Sequence, residues 1–160
     1  MNEKIFITLG SQRFQFNRLL KAVDDLYEKE NIGFDVFAQI GYSDYVPKHY
    51  RFKQFLDREK FSKEMGKADI VITHGGSGAI ISAVKKRKKI IAVPRLAQYG
   101  EHIDDHQLQI IEQFKEQNLI YACYDMDLQN ALMIVKKSEF NEYKSNTEAI
   151  ILSLDNFIKG

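Results

Sequence analysis

Short apolar runs alternate with amphipathic stretches along most of the chain. Residues 4–9, 34–40, 70–73 and 90–93 are β-branched or aromatic runs of strand length. Each stops near glycine or proline, at Gly10, Gly41, Gly75 and Pro94. Residues 51–56 predict a weaker strand and residues 119–123 a last one. Between them apolar positions recur at helical spacing, as in Leu19, Leu20, Val23, Leu26 and Tyr27. This predicts helices over residues 16–30, 57–67, 79–88, 104–117, 127–135 and 142–159. Asn31 and Gly33 stop the first helix. Residues 42–50 and 95–102 read as loops.

Strands alternating with helices imply a parallel sheet covered on both faces. The expected fold is therefore α/β, a Rossmann-like doubly wound sheet. In such sheets a ligand sits beyond the carboxyl ends of the strands, where Gly10, Gly41, Gly75 and Pro94 would gather.

Composition narrows the class without changing this picture. At 160 residues, with 44% hydrophobic and 28% charged residues, a single domain over 1–160 is expected. A formal net charge of +1 argues against wholesale nucleic-acid binding. One cysteine, Cys123, forms no internal disulfide, which fits a reducing cytoplasm. No signal peptide is expected, because Met1-Asn2-Glu3-Lys4 leads straight into a strand. No apolar run approaches the ~18 residues that span a bilayer. Membrane contact would be peripheral or through a partner.

The chemistry concentrates where the fourth strand ends, in Thr73-His74-Gly75-Gly76-Ser77-Gly78. A strand, a glycine turn and a helix place free N–H groups and a helix N-terminus at the sheet edge, a seat for phosphate. His74 stands at its lip with a hydrogen bond to add. No Gly-Lys-Ser/Thr follows, so this is no Walker A loop. The G-x-G-x-x-G fingerprint is missing, and no acid closes the second strand to take a ribose, which argues against a nicotinamide dehydrogenase. A tight turn that merely needs glycine is the plainer alternative.

Gly75-Gly76-Ser77-Gly78-Ala79 misses the hydrolase elbow G-x-S-x-G only at its last position, and Asp104 and His106 follow in the right order. Two residues apart on one helix, however, that pair would face different ways, whereas a triad needs the acid to orient the imidazole.

A second polar cluster is Glu101-His102-Ile103-Asp104-Asp105-His106-Gln107. His102 and His106, four apart, suit zinc with a carboxylate; a helix start capped by Asp104 or Asp105, or a row of sugar-hydroxyl contacts, are the alternatives. The basic run of residues 85–89 reads as a solvated helix end that complements the dipole, with attraction to anionic lipid as a minor role. Ile150, Ile151, Leu154, Phe157 and Ile158 form a stripe that packs on the core or on a partner.

Taken together, TLGSQ after the first strand, ITHGGSG after the fourth, VPR after the fifth and YGEHIDDHQ before the next helix resemble one family. They are similar to the donor-binding half of two-domain nucleotide-sugar glycosyltransferases. Among these the chain most resembles stand-alone donor subunits of bacterial exopolysaccharide and capsule synthesis, the PssE type. These are relatives of the dolichol-pathway UDP-N-acetylglucosamine transferase subunit and of the C-terminal half of the lipid II-forming transferase.

The resemblance implies one donor-binding half of a GT-B fold. It implies that His74, Gly75, Gly76, Ser77 and Gly78 hold the diphosphate of a UDP-sugar, with Gly10 and Ser11 facing it. The backbone of Phe55 and Leu56 would meet the uracil edge. His106 and Gln107, with Glu101 and Asp105 nearby, would contact the sugar hydroxyls. Where many relatives carry an acid for the ribose, this chain has Ser82.

The implied reaction is inverting transfer of a hexose, galactose or N-acetylglucosamine, to a prenyl-diphosphate-linked saccharide. No metal or other cofactor is implied. His74 would stabilise the leaving group, and a membrane-anchored acceptor-binding subunit would supply the base. A non-catalytic enhancer subunit is the alternative, and a small serine hydrolase the remoter one.

Overall fold

The computed structural model describes residues 3–29 and 33–144. In chain order the elements are β1 (Glu3–Thr8), α1 (Asn17–Lys29), β2 (Phe34–Gln39), β3 (Arg51–Lys53), α2 (Arg58–Lys67) and β4 (Ile70–His74). They continue with α3 (Ser77–Lys85), β5 (Lys89–Val93), a 3-10 turn (Ala97–Tyr99), α4 (His106–Glu116), β6 (Tyr121–Ala122) and α5 (Leu128–Lys137).

All strand pairs are parallel, in the order β3-β2-β1-β4-β5-β6. The doubly wound sheet expected from the alternation of elements is the one found. The order reverses at β1, so the loops after β1 and β4 leave in opposite directions and open a crevice between them. Register fixes what meets there: Thr8 pairs with Gln39 on one side and with Thr73 on the other, and His74 pairs with Val93.

Strand alternation divides the core. Ile5, Ile7, Ile70, Ile72, Ile91 and Val93 face one side with Leu19, Leu20 and Val23 of α1 and Leu128, Leu132 and Val135 of α5. Phe6, Val71, Ile90 and Ala92 face the other, against Met65 of α2, Ile80, Ile81 and Val84 of α3, and Ile110, Ile111 and Phe114 of α4. Two-sided burial explains why the strands read as unbroken apolar runs.

Several boundaries differ from the sequence expectation. β3 ends at Lys53 rather than at residue 56, although Ile40 and Gly41 still donate to the carbonyls of Lys53 and Gln54 at 3.0 and 2.8 Å. α3 starts two residues early, at Ser77, and stops at Lys85, because Arg87 takes a left-handed φ of 57°. α4 begins at His106, not at residue 104, and β6 keeps only two residues. Asn31, the predicted stop of α1, and residues 145–159 of the predicted closing helix lie outside the described residues. Residues 142–144 are described and are not helical.

The basic run is less solvated than its composition suggests. Lys86 Nζ donates to the Ser62 carbonyl, Lys88 Nζ to those of Gly66 and Ala68, and Lys89 Nζ to that of Lys136. Lys88 and Lys89 close the carbonyl ends of neighbouring helices α2 and α5, where the dipole is negative, while Lys86 reaches the middle of α2. Among the described residues no helix is long and apolar enough to cross a membrane.

Candidate functional site

The crevice between β1 and β4 is built around His74, the last residue of a fully buried strand. Its Nδ1 accepts the Gly76 N–H at 3.2 Å and faces Gln107 Nε2 at 3.2 Å. With Nδ1 accepting, the ring proton sits on Nε2, which points at Gly10. Burial above all, then the nearby Arg95 and His102 charges, pushes the pKa of His74 down to about 3. The ring is neutral at physiological pH, a dipole rather than a cation.

Gly10 is required twice over. Its φ is +71°, and a Cβ placed on it would stand 2.6 Å from His74 Nε2. Gly76 is pressed by the same ring, since a Cβ there would lie 2.3 Å from Cε1.

Gln107 is 1% exposed and ties three elements together. Its Oε1 accepts the Gly75 N–H at 2.9 Å and the Arg95 N–H at 3.0 Å, which fixes the orientation of the amide. Gly75 and Gly76 therefore donate their amides to the protein itself. The first bond inside α3 runs from Ile80 N–H to the Gly76 carbonyl, so the N–H groups of Gly78 and Ala79 precede any intrahelical acceptor. Gly78 is exposed, and a Cβ on it would meet nothing within 4 Å. The outward-facing part of the turn is its helical end. Ser77 is buried at the first position of α3. Ser82 donates its hydroxyl to the Gly78 carbonyl at 2.9 Å.

Arg95 is the other hub. Its guanidinium is buried and donates to the carbonyls of Phe14, Gln15 and Glu101 at 3.0–3.2 Å and to that of Leu9 at 2.5 Å. It also lies over the Phe16 ring. Burial lowers its pKa to about 10, against the pull of Glu101. One arginine thus holds the loop after β1 to the loop after β5.

Glu101 binds protein rather than facing open solvent. Its carboxylate takes both Arg18 Nε and Nη2 at 2.9 Å and accepts the Leu96 N–H at 3.0 Å. Asp105 is exposed and accepts the Ala97 N–H at 2.8 Å. Asp104 and His106, expected on different faces of one helix, do pair, carboxylate Oδ1 to imidazole Nδ1. Asp104 precedes the helix and turns back onto its first residue, whose N–H it also accepts at 3.1 Å. His102 lies buried between, stacked on Phe14 with ring centroids 5.5 Å apart.

At the far rim Phe55 is exposed and Leu56 half-buried, both in the loop after β3. Tyr42, also exposed, meets Phe55 edge to face at 5.2 Å. Ser11 is exposed beside Gly10.

A profile of the glycosyltransferase family 28 C-terminal domain matches residues 4–159. The chain belongs to that family. Among its relatives is UDP-N-acetylglucosamine transferase subunit ALG13 of Homo sapiens, 26% identical over 126 residues, which cover 74% of this chain and 11% of that protein. Its Mus musculus counterpart is 24% identical over 128 residues, 76% of this chain and again 11% of the relative. The chain thus spans about a tenth of the length of these relatives.

Solved structures repeat the fold. The solution structure of ALG13 gives a TM-score of 0.62 at 17% identity, over 96% of this chain and 94% of that one. MurG of Acinetobacter baumannii gives 0.59 at 17%, over 85% of this chain and 42% of that one. CalG4, the calicheamicin glycosyltransferase, gives 0.63 at 14%, over 94% and 37%. The chain has the fold of the C-terminal half of a GT-B glycosyltransferase.

Within this family-28 domain, three residues that organise the crevice are not apparent from the sequence. Arg95 stands in the VPR motif without a role assigned to it and Arg18 in the first helix, and only their distant partners, up to 86 positions away, reveal them. Tyr42 falls in a segment that reads only as loop; an aromatic next to Gly41 is the available signal.

Proposed function

We propose that this chain is the donor-binding subunit of a UDP-sugar-dependent inverting glycosyltransferase. The carrying observation is the paired loops at the β1–β4 reversal in a family-28 domain. The α3 N-terminus, with the amides of Gly78 and Ala79 free of helical acceptors, faces the loop that carries Gly10 and Ser11. That arrangement suits a diphosphate. The relatives named UDP-N-acetylglucosamine transferase subunits support uridine as the nucleoside and a hexose as the cargo.

In this reading Tyr42, Phe55 and Leu56 border the uracil. The helical end of the glycine turn, Ser77-Gly78-Ala79, meets the phosphates. His106 and Asp105 lie toward the sugar, while Glu101 and Gln107 position the loops that carry it. His74 shapes the turn and keeps a neutral Nε2–H toward Gly10.

An acceptor hydroxyl attacks the anomeric carbon, the bond to the diphosphate oxygen breaks, and UDP leaves with the electron pair. Oriented N–H groups stabilise the charge that develops there, without metal or organic cofactor in the scheme. The acceptor's proton goes to a base on another subunit, because His74 is buried, its pKa is pushed down to about 3 and its Nδ1 already accepts the Gly76 N–H. That subunit would be membrane-anchored and bind a prenyl-diphosphate-linked saccharide, with this chain peripheral at the cytoplasmic face. Exopolysaccharide or capsule assembly of the PssE type is the proposed setting, with galactose or N-acetylglucosamine donated.

Calorimetric titration with UDP is the direct test. Saturable binding is expected; its failure would favour an enhancer subunit. Turnover of a UDP-hexose by this chain alone would remove the need for a partner.

A further inference from the structure

Two histidines lie outside the diphosphate seat, His102 before α4 and His106 at its first position. His102 and His106 are both largely buried, with side chains 6% and 9% exposed, and their rings meet edge to face at 4.7 Å. Both turn Nδ1 toward a single oxygen, Asp104 Oδ1, at 3.2 Å for His102 and closer for His106. One ligand atom from each of the three residues lies within 4.8 Å of the others.

The hydrogen bonding around that oxygen is crowded. Asp104 Oδ1 receives the His106 N–H as well as the two imidazoles. His102 Nδ1 also accepts the Asp104 N–H at 3.4 Å. With Nδ1 bare, its lone pair faces a carboxylate oxygen; with Nδ1 protonated, the Asp104 amide loses its acceptor. A cation between the two imidazoles and the carboxylate would take a lone pair from each of the three, placing its charge against the Asp104 carboxylate and giving up only the long 3.4 Å Asp104 N–H contact to His102 Nδ1.

We infer that His102, Asp104 and His106 form a binding site for a divalent transition-metal ion of the zinc class. Two imidazole nitrogens and a carboxylate oxygen are the donor set that such ions take, and that magnesium and calcium, which prefer all-oxygen sites, do not. In a tetrahedral zinc site neighbouring ligand atoms stand about 3.3 Å apart, the spacing that His102 Nδ1 and Asp104 Oδ1 already have at 3.2 Å, while His106 Nδ1 has to draw back from that oxygen. The Asp104 side chain is 53% exposed, which leaves a fourth position open to water. Phe14, stacked on His102, fixes the ring direction before any metal arrives. This site shares His106 with the sugar side of the UDP-sugar reading, but its test, zinc binding by the free chain, does not depend on that reading.

Zinc titration of the full chain, stripped of metal and labelled with 15N-histidine, tests this directly. The chain has four histidines, so each ring can be followed by NMR. One equivalent of zinc is expected to shift the Nδ1 resonances of His102 and His106 and to leave His49 and His74 in place. His102→Phe, which keeps a ring against Phe14, and Asp104→Asn are each expected to weaken zinc binding at least ~10-fold, the least that loss of even an outer-shell partner costs. Magnesium should produce none of these shifts. Failure of zinc to bind, or binding that leaves the His102 and His106 resonances unmoved, overturns the site. The ring resonances of the unaltered chain discriminate these outcomes even if either variant fails to fold.

Discussion

The imidazole of His74 fills the space a side chain on Gly10 would need: a Cβ there would stand 2.6 Å from Nε2. Gly10→Ala must therefore displace a buried ring and also accept a φ of +71°. A loss of about 2–4 kcal/mol is expected, measured by urea unfolding.

Gly78→Ala separates binding from folding. Its Cβ would meet nothing within 4 Å, and the residue lies in the first turn of α3. Stability should hold or rise by up to about 0.5–1 kcal/mol. UDP affinity should fall by roughly tenfold, about 1.4 kcal/mol, as the methyl enters the diphosphate seat. Unchanged UDP affinity would move that seat away from this turn.

His74 gives the fold an acid sensitivity with a definite sign. Its pKa falls from 6.5 to about 3 on folding, so between those values the unfolded chain binds a proton that the native site refuses. Stability drops as pH falls through that window and is unaffected by this group above it. His74→Asn keeps an oxygen to accept the Gly76 N–H but does not titrate. Its urea midpoint should depend less steeply on pH than the parent's between those two values.

Gln107→Leu would leave the amides of Gly75 and Arg95 buried without an acceptor. The expected cost is about 2–4 kcal/mol. Gln107→Glu restores the acceptor, and recovery of most of that loss above neutral pH would confirm that Oε1 is the essential atom.

Glu101→Ala strands Arg18 and the Leu96 amide. A destabilisation of about 2–3 kcal/mol is expected, below the usual cost of a fully buried pair because Arg18 is 25% exposed. If Glu101 instead served mainly the sugar, stability would hold and UDP-hexose affinity would fall relative to UDP.

Much of this protein is legible in one dimension. Ile-Val-Ile-Thr followed by His-Gly-Gly-Ser-Gly announces a buried strand, a turn and a helix, because two-sided burial removes polar positions and glycine alone tolerates the close approach of His74. The doubly wound sheet follows from alternation and the short reach of crossover connections.

Tertiary structure decided which polar atoms remain available. Gln107 and Glu101 belong to motifs that look ligand-facing, yet their oxygens receive the amides of Gly75, Arg95 and Leu96 and the guanidinium of Arg18. Asp104 and His106 meet only because the helix starts at His106, two residues later than expected, which leaves Asp104 outside it. A sequence states which groups can donate and accept; the folded chain alone brings distant ones within hydrogen-bonding reach and so determines which are left for a ligand.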